Sequence, residues 1–61
     1  HNEVLNEVSK MLLSELYVKA GNYYYYKDQY QPAYDIYSKG LSYLPNDSDL
    51  TKRAQWSKEE L

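Results

Sequence analysis

The chain has 61 residues, a net charge of −2 and no cysteine, with seven basic residues interleaved among nine acidic ones. That length allows one small domain, which buries only about 60% of the surface its unfolded chain exposes, and with no disulfide to staple it a neighbouring segment or subunit is the expected source of further stability. The dispersed charge gives no basic footprint for nucleic acid, and the longest apolar run, Met11 to Leu13, falls far short of the ~20 residues that span a bilayer.

No signal-peptide pattern opens the sequence, and the lack of cysteine suits the cytoplasm or another reducing compartment. Starting on His1 and closing on a charged stretch, the chain reads as part of a longer protein.

No Pro or Gly interrupts Asn2 to Ala20, and Val4, Leu5, Val8, Leu12, Leu16 and Ala20 keep helical spacing. The spacing predicts one long first helix to about Lys27, roughly 26 residues or ~39 Å. Four consecutive tyrosines, Tyr23 to Tyr26, fan across about 300° of such a helix and cannot share a face. Tyr24 continues an inner line with Tyr17, Ala20 and Gly21, whereas Tyr25 and Tyr26 turn toward the other side. A strand is the rival, since Tyr suits pleated sheets, but no hairpin turn or partner strand accompanies it.

Pro32 can open a second helix in its first turn, where a missing N–H costs nothing. Ala33, Tyr37, Gly40, Leu41 and Leu44 then mark one helical face, and Pro45 stops it. Asn46, Asp47 and Ser48 offer N-caps for a third helix with Asp49 in its first turn, and Leu50, Ala54 and Leu61 can line its inner face. The predicted fold is all-α: an antiparallel helical hairpin with a long first helix and a third, capping helix over residues 48–61.

Tyr17, Ala20, Gly21, Tyr24, Ala33, Tyr37, Gly40 and Pro45 fall in the register W-x₂-L-G-x₂-Y, A-x₃-F, P of the tetratricopeptide repeat, so the stretch from Ser14 to Asp47 resembles one unit of that family. The resemblance implies Gly21 at a close helix approach, Ala33 at the crossing, Tyr37 as the large ring between helices and Pro45 as the stop. Tyr17, Ala20 and Gly40 replace the family's Trp, Leu and Ala and shrink the core. The stretch "AGNY" at residues 20–23 is also similar to the microtubule-interacting-and-transport domain, another three-helix family, which Pro45 and the short second helix fit less well.

No catalytic constellation is present in the sequence. A nucleophile needs an oriented base, and the single His is residue 1. Glu59 and Glu60 read as a solvated tail, and His1 with Glu3 or Glu7 reads as a chain boundary instead of a metal site, so no metal and no cofactor are expected.

The resemblance instead implies a groove along the first helix that holds a peptide or helix of a partner protein. Its walls would be Val18, Lys19, Asn22, Tyr25 and Tyr26, with Glu15 beside them, joined by Asp49, Lys52, Arg53 and Trp56 of the third helix. Asn22 and Arg53 stand at positions that chaperone-binding members use to clamp a C-terminal carboxylate, whereas Val18 and Asp49 replace clamp lysines. Trp56 lies off the inner line, placed for a partner or a missing neighbour.

The expected function is therefore non-catalytic protein binding. The alternative is a structural element that assembles with its own kind, because Leu5, Val8 and Leu12 repeat at coiled-coil a and d spacing and leave apolar surface that the short second helix cannot reach; a homo-oligomer through these three residues is expected.

Overall fold

The computed structural model describes the backbone of residues 2–61 and the side chains of residues 7–61. Three helices follow one another, α1 Asn2–Tyr25, α2 Tyr30–Tyr43 and α3 Ser48–Glu59, and the described residues contain no strand. The protein is all-α. Gly21 faces Tyr37 and Tyr17 faces Gly40, so α2 runs back antiparallel along α1. α3 returns parallel to α1, its Leu50 against Gly40 and its Arg53 against Asn22.

Each helix boundary has a local cause. Asp28 adopts φ 62°, a left-handed conformation that Asp tolerates better than most side chains. Its N–H donates to the Tyr25 carbonyl at 3.1 Å and that of Gln29 to the Tyr24 carbonyl at 3.0 Å, the paired bonds of a Schellman ending. The helical assignment therefore stops two residues short of Lys27. The Tyr30 hydroxyl donates to Asp28 Oδ1 at 2.9 Å, and this bond pushes the Tyr30 phenol up to about 12.

α2 begins at Tyr30, with Pro32 still inside the first turn, where no N–H partner is lost. It closes with the Leu44 N–H on the Gly40 carbonyl, and Pro45 prevents continuation. Of the three candidate caps for α3, Asp47 takes the role, accepting from the Leu50 N–H at 2.9 Å.

The core is small and lies between α2 and its two neighbours: Ala33, Tyr37, Leu44, Leu50 and Ala54 are buried, with Leu13, Tyr17, Val18, Tyr24, Tyr25, Tyr34 and Leu41 packed around them. Tyr37 is the largest fully buried side chain. Its ring occupies the space a side chain at position 21 would need, since a Cβ there would lie 2.2, 2.5 and 2.6 Å from Cε1, Cδ1 and Cζ. Only glycine lets the α1 backbone approach the ring face so closely.

Two expectations change, those for Leu61 and Tyr25. Leu61 lies beyond the end of α3 and is 62% exposed. The inner line continues from Ala54 to Ser57, which is buried and satisfies its hydroxyl on the Arg53 carbonyl at 3.0 Å. Val8, Leu12 and Leu16 are exposed, as expected of apolar surface that the short second helix does not reach, because the α1 face toward the hairpin is the one carrying Leu13, Tyr17, Gly21 and Tyr24. Tyr25, expected to turn away, packs partly on the core with its ring edge-on to Tyr30 at 5.4 Å.

Two predictions follow from this packing. In urea denaturation, Tyr37→Ala is expected to cost about 3–5 kcal/mol, as large aromatic truncations in cores do. Half-buried Tyr24→Ala falls below it, exposed Tyr26→Ala stays within about 0.5 kcal/mol, and Gly21→Ala costs about 1–3 kcal/mol by overpacking. Equal losses for Tyr24 and Tyr26 would overturn the packing order.

The second concerns acid. Partial burial pushes the Asp47 carboxyl up, but hydrogen bonds from the Ser14 hydroxyl and the Leu50 and Asp49 N–H groups outweigh it and hold the group below its ordinary 3.8. A carboxylate with a depressed folded value contributes stability that is present above 3.8 and fades as the pH falls through the lower value. Asp47→Ala is therefore expected to cost about 1 kcal/mol at neutral pH, a difference that narrows on acidification below the ordinary carboxylate range; a gap that stays constant into strong acid would contradict the cap.

Candidate functional site

The last turns of α1 and the first turns of α3 lie side by side, and polar side chains join them. Asn22 Oδ1 accepts two hydrogen bonds, from the Tyr37 hydroxyl at 2.5 Å and from Arg53 Nη1 at 3.1 Å. Arg53 Nε donates to Asp49 Oδ1 at 2.8 Å, one turn earlier on α3. All three helices thus meet at one amide oxygen.

The electrostatics follow from this closure. Burial pushes the Tyr37 phenol up, with the Arg53 charge and hydrogen bond opposing it. Burial also disfavours the Arg53 cation, but its bond to Asp49 and the attraction of that carboxylate prevail and keep the guanidinium above its usual range. At neutral pH the phenol is protonated and donates, while the guanidinium is charged.

Aromatic side chains crowd the outer rim. Tyr25, Tyr26, Tyr37, Arg53 and Trp56 line a notch of about 20 Å³, the space of roughly one water molecule. Tyr25 and Tyr26 meet edge to face at 5.6 Å. Lys52 Nζ stands 5.5 Å from the Trp56 ring centroid, a cation–π contact, and Trp56 remains 43% exposed. Further toward the N-terminus of α1 the surface opens into a groove of about 360 Å³, where Met11 and Val18 are flanked by Glu7, Glu15, Asp47 and Asp49.

Of the residues expected to bind a partner, Asn22, Tyr25, Tyr26, Arg53 and Trp56 are brought together, with Lys52 laid on Trp56. Val18 lines the wider groove and packs partly on the core. Lys19 stands apart from the notch, its Nζ 3.3 Å from Glu15 Oε1. Val8 and Leu12 are exposed on α1, and His1, Glu3 and the Leu5 side chain lie outside the described residues.

Asn22 and Arg53 are bonded internally, the oxygen of Asn22 accepting from Tyr37 and Arg53. Tyr37 entered the sequence reading as a packing ring alone; its hydroxyl as a partner for Asn22 was missed. The signal for it is the choice of Tyr where the resembled family prefers Phe, since a buried phenol needs an acceptor.

Among the described residues, no group of three His, Cys, Asp or Glu side chains is placed to hold a metal ion, and no helix is long and apolar enough to cross a membrane.

Asn22→Ala leaves a buried phenol and a half-buried guanidinium without their shared acceptor. A loss of about 1–3 kcal/mol in unfolding free energy is expected, while Asn22→Asp, which keeps an oxygen in place, retains most of it. Equal stability for Asn22→Ala and the parent chain would show that the amide does not join the helices. No protein-family model, curated protein or solved structure matches the chain.

Proposed function

We propose that this chain is a non-catalytic protein-interaction module of tetratricopeptide type, which holds a peptide or helix of a partner protein in the groove along α1. The observation that supports it best is the aromatic rim: exposed Tyr26 and Trp56, with half-buried Tyr25, converge from two helices beside the cations of Lys52 and Arg53. Exposed Trp and Tyr with Arg are the side chains that dominate binding energy at protein interfaces, and a small domain gains nothing in stability by leaving a tryptophan nearly half in water.

The repeat resemblance supports the same face. The tight Gly21–Tyr37 contact, buried Ala33 and the end of α2 before Pro45 are the features that the resemblance implies for one such unit. With Asn22 and Arg53 bonded to each other, the clamp for a chaperone's C-terminal carboxylate is the less supported version, and a ligand that packs apolar side chains on Tyr26 and Trp56 is favoured. Its acceptor groups would meet the remaining Arg53 donors, the Asn22 amide N–H groups and Lys52.

Selection from a random peptide display library tests this. Peptides enriched on the parent chain are expected to lose about tenfold or more in affinity on a Tyr26→Ala, Trp56→Ala double variant, read by calorimetry, and to change the fluorescence of Trp56, the single tryptophan. Enriched peptides that bind parent and double variant equally would place any binding elsewhere.

A further inference from the structure

α1 is apolar on two opposite sides. The side carrying Leu13, Tyr17, Gly21 and Tyr24 meets the hairpin. On the other side Val8, Leu12, Leu16 and Tyr23 are 48%, 64%, 62% and 58% exposed. At 100° per residue these four fall within about 80° of one another, a continuous stripe that neither α2 nor α3 covers. The step from Leu12 to Tyr23 is an eleven-residue spacing, close to the period of a straight helix, so the stripe runs along α1 without winding away, beyond the Leu5, Val8, Leu12 segment that heptad spacing singles out.

One charged residue interrupts it. Lys19 lies at the middle of the stripe by the same angular count, with its Nζ 3.3 Å from Glu15 Oε1 one turn earlier. Glu15 and Lys19 are equidistant from residue 17, so a twofold axis crossing α1 there sets Glu15 of one copy opposite Lys19 of the other, and the reverse. The same axis brings Leu12 level with the Asn22 to Tyr23 turn of its mate and places the two Leu16 side chains on either side of the axis. A twofold interface requires this kind of self-complementarity. A parallel, in-register pair would instead set Lys19 against Lys19 in the seam.

We infer that two copies of this chain associate antiparallel through the outer stripe of α1, Val8, Leu12, Leu16 and Tyr23, with reciprocal Glu15–Lys19 ion pairs fixing orientation and register. Across two copies the exposed parts of these side chains amount to roughly 1,000 Å², the lower edge for a specific interface, so the dimer forms in a concentration-dependent way. The stripe excludes Asn22, Tyr25, Arg53 and Trp56, but the same axis sets Val8 level with Tyr26 of the mate, and Glu15 also lines the wider groove, so the two surfaces share an edge of α1. The association is argued from the stripe and the Glu15–Lys19 register alone and does not rest on the peptide-binding reading.

Light scattering over a concentration series on the parent chain, at fixed low salt, gives the first measurement. The mass is expected to rise from 7.3 kDa toward twice that value by several hundred micromolar, and Leu12→Glu with Leu16→Glu is expected to hold it at the monomer. Lys19→Glu alone and Glu15→Lys alone set like charges across the axis and are expected to weaken the dimer about tenfold or more; an equimolar mixture of the two variants restores it.

Orientation is read by cross-linking, which is clean because the chain has no native cysteine. Leu12→Cys mixed with Tyr23→Cys is expected to give the mixed disulfide, and Leu12→Cys alone little of the homodisulfide. This arm holds even if a charge variant loses helix by circular dichroism. A monomer at all concentrations, or cross-linking of Leu12→Cys to itself in preference to Tyr23→Cys, overturns the proposal.

Discussion

The contact between the Tyr37 ring and the bare backbone of Gly21 governs the arrangement of everything else. It draws α1 and α2 together at the one point where α1 lacks a side chain on its inner face, and it buries the largest ring of a core that contains few other fully buried side chains. Because the ring belongs to tyrosine, its polar end must also be satisfied, and that requirement reaches the third helix: the hydroxyl takes Asn22, and the same amide oxygen takes Arg53. Packing and polar satisfaction therefore fix α3 against α1 through one residue of α2. The aromatic rim formed by Tyr25, Tyr26 and Trp56 is a consequence, since it exists only while α1 and α3 hold that alignment.

α1 is long for its two companions. At 1.5 Å per residue its 24 residues span about 36 Å, against about 21 Å for α2 and about 18 Å for α3, so its N-terminal half projects past the hairpin and the molecule extends 42 Å along one axis. Apolar residues continue along this projecting half and onto the outer side, where intramolecular packing does not use them. A domain of this size has little stability to spare, and an uncovered stripe of that extent is a liability unless another surface meets it. The groove and the stripe occupy adjoining faces of the same helix and share its edge at Glu15 and Tyr26.

Much of the fold was legible because it is written in local signals. The buried face of α2 through Ala33, Tyr37, Gly40 and Leu44, the stop at Pro45 and the cap near Asp47 follow from helical spacing and terminal chemistry, and each has its place in the structure. What the sequence left ambiguous depends on choosing between faces. Periodicity found both apolar lines of α1, but Leu12 and Leu16 are as regularly spaced as Tyr17 and Tyr24, and only the position of Gly21 tells which side the hairpin takes. Leu61 failed as a core residue because the helix ends before it, at a position that no strong stop signal marks. The left-handed turn at Asp28 was likewise hidden, since Asp is only one of several residue types that adopt it. For the candidate site, the residues that converge could be chosen from the register, but the internal bonding of Asn22 and Arg53 could not, because it depends on three helices meeting at hydrogen-bond distance.

The alignment of all three helices rests on the placement of Gly21 over the Tyr37 ring, and nuclear magnetic resonance reads that placement directly. Two-dimensional spectra of the chain in solution are predicted to show strong cross-peaks between the Gly21 α-protons and the Tyr37 ring protons, with at least one α-proton moved well upfield by the ring current. Gly21 α-protons at their ordinary helical shift, without cross-peaks to Tyr37, would contradict the account at its base.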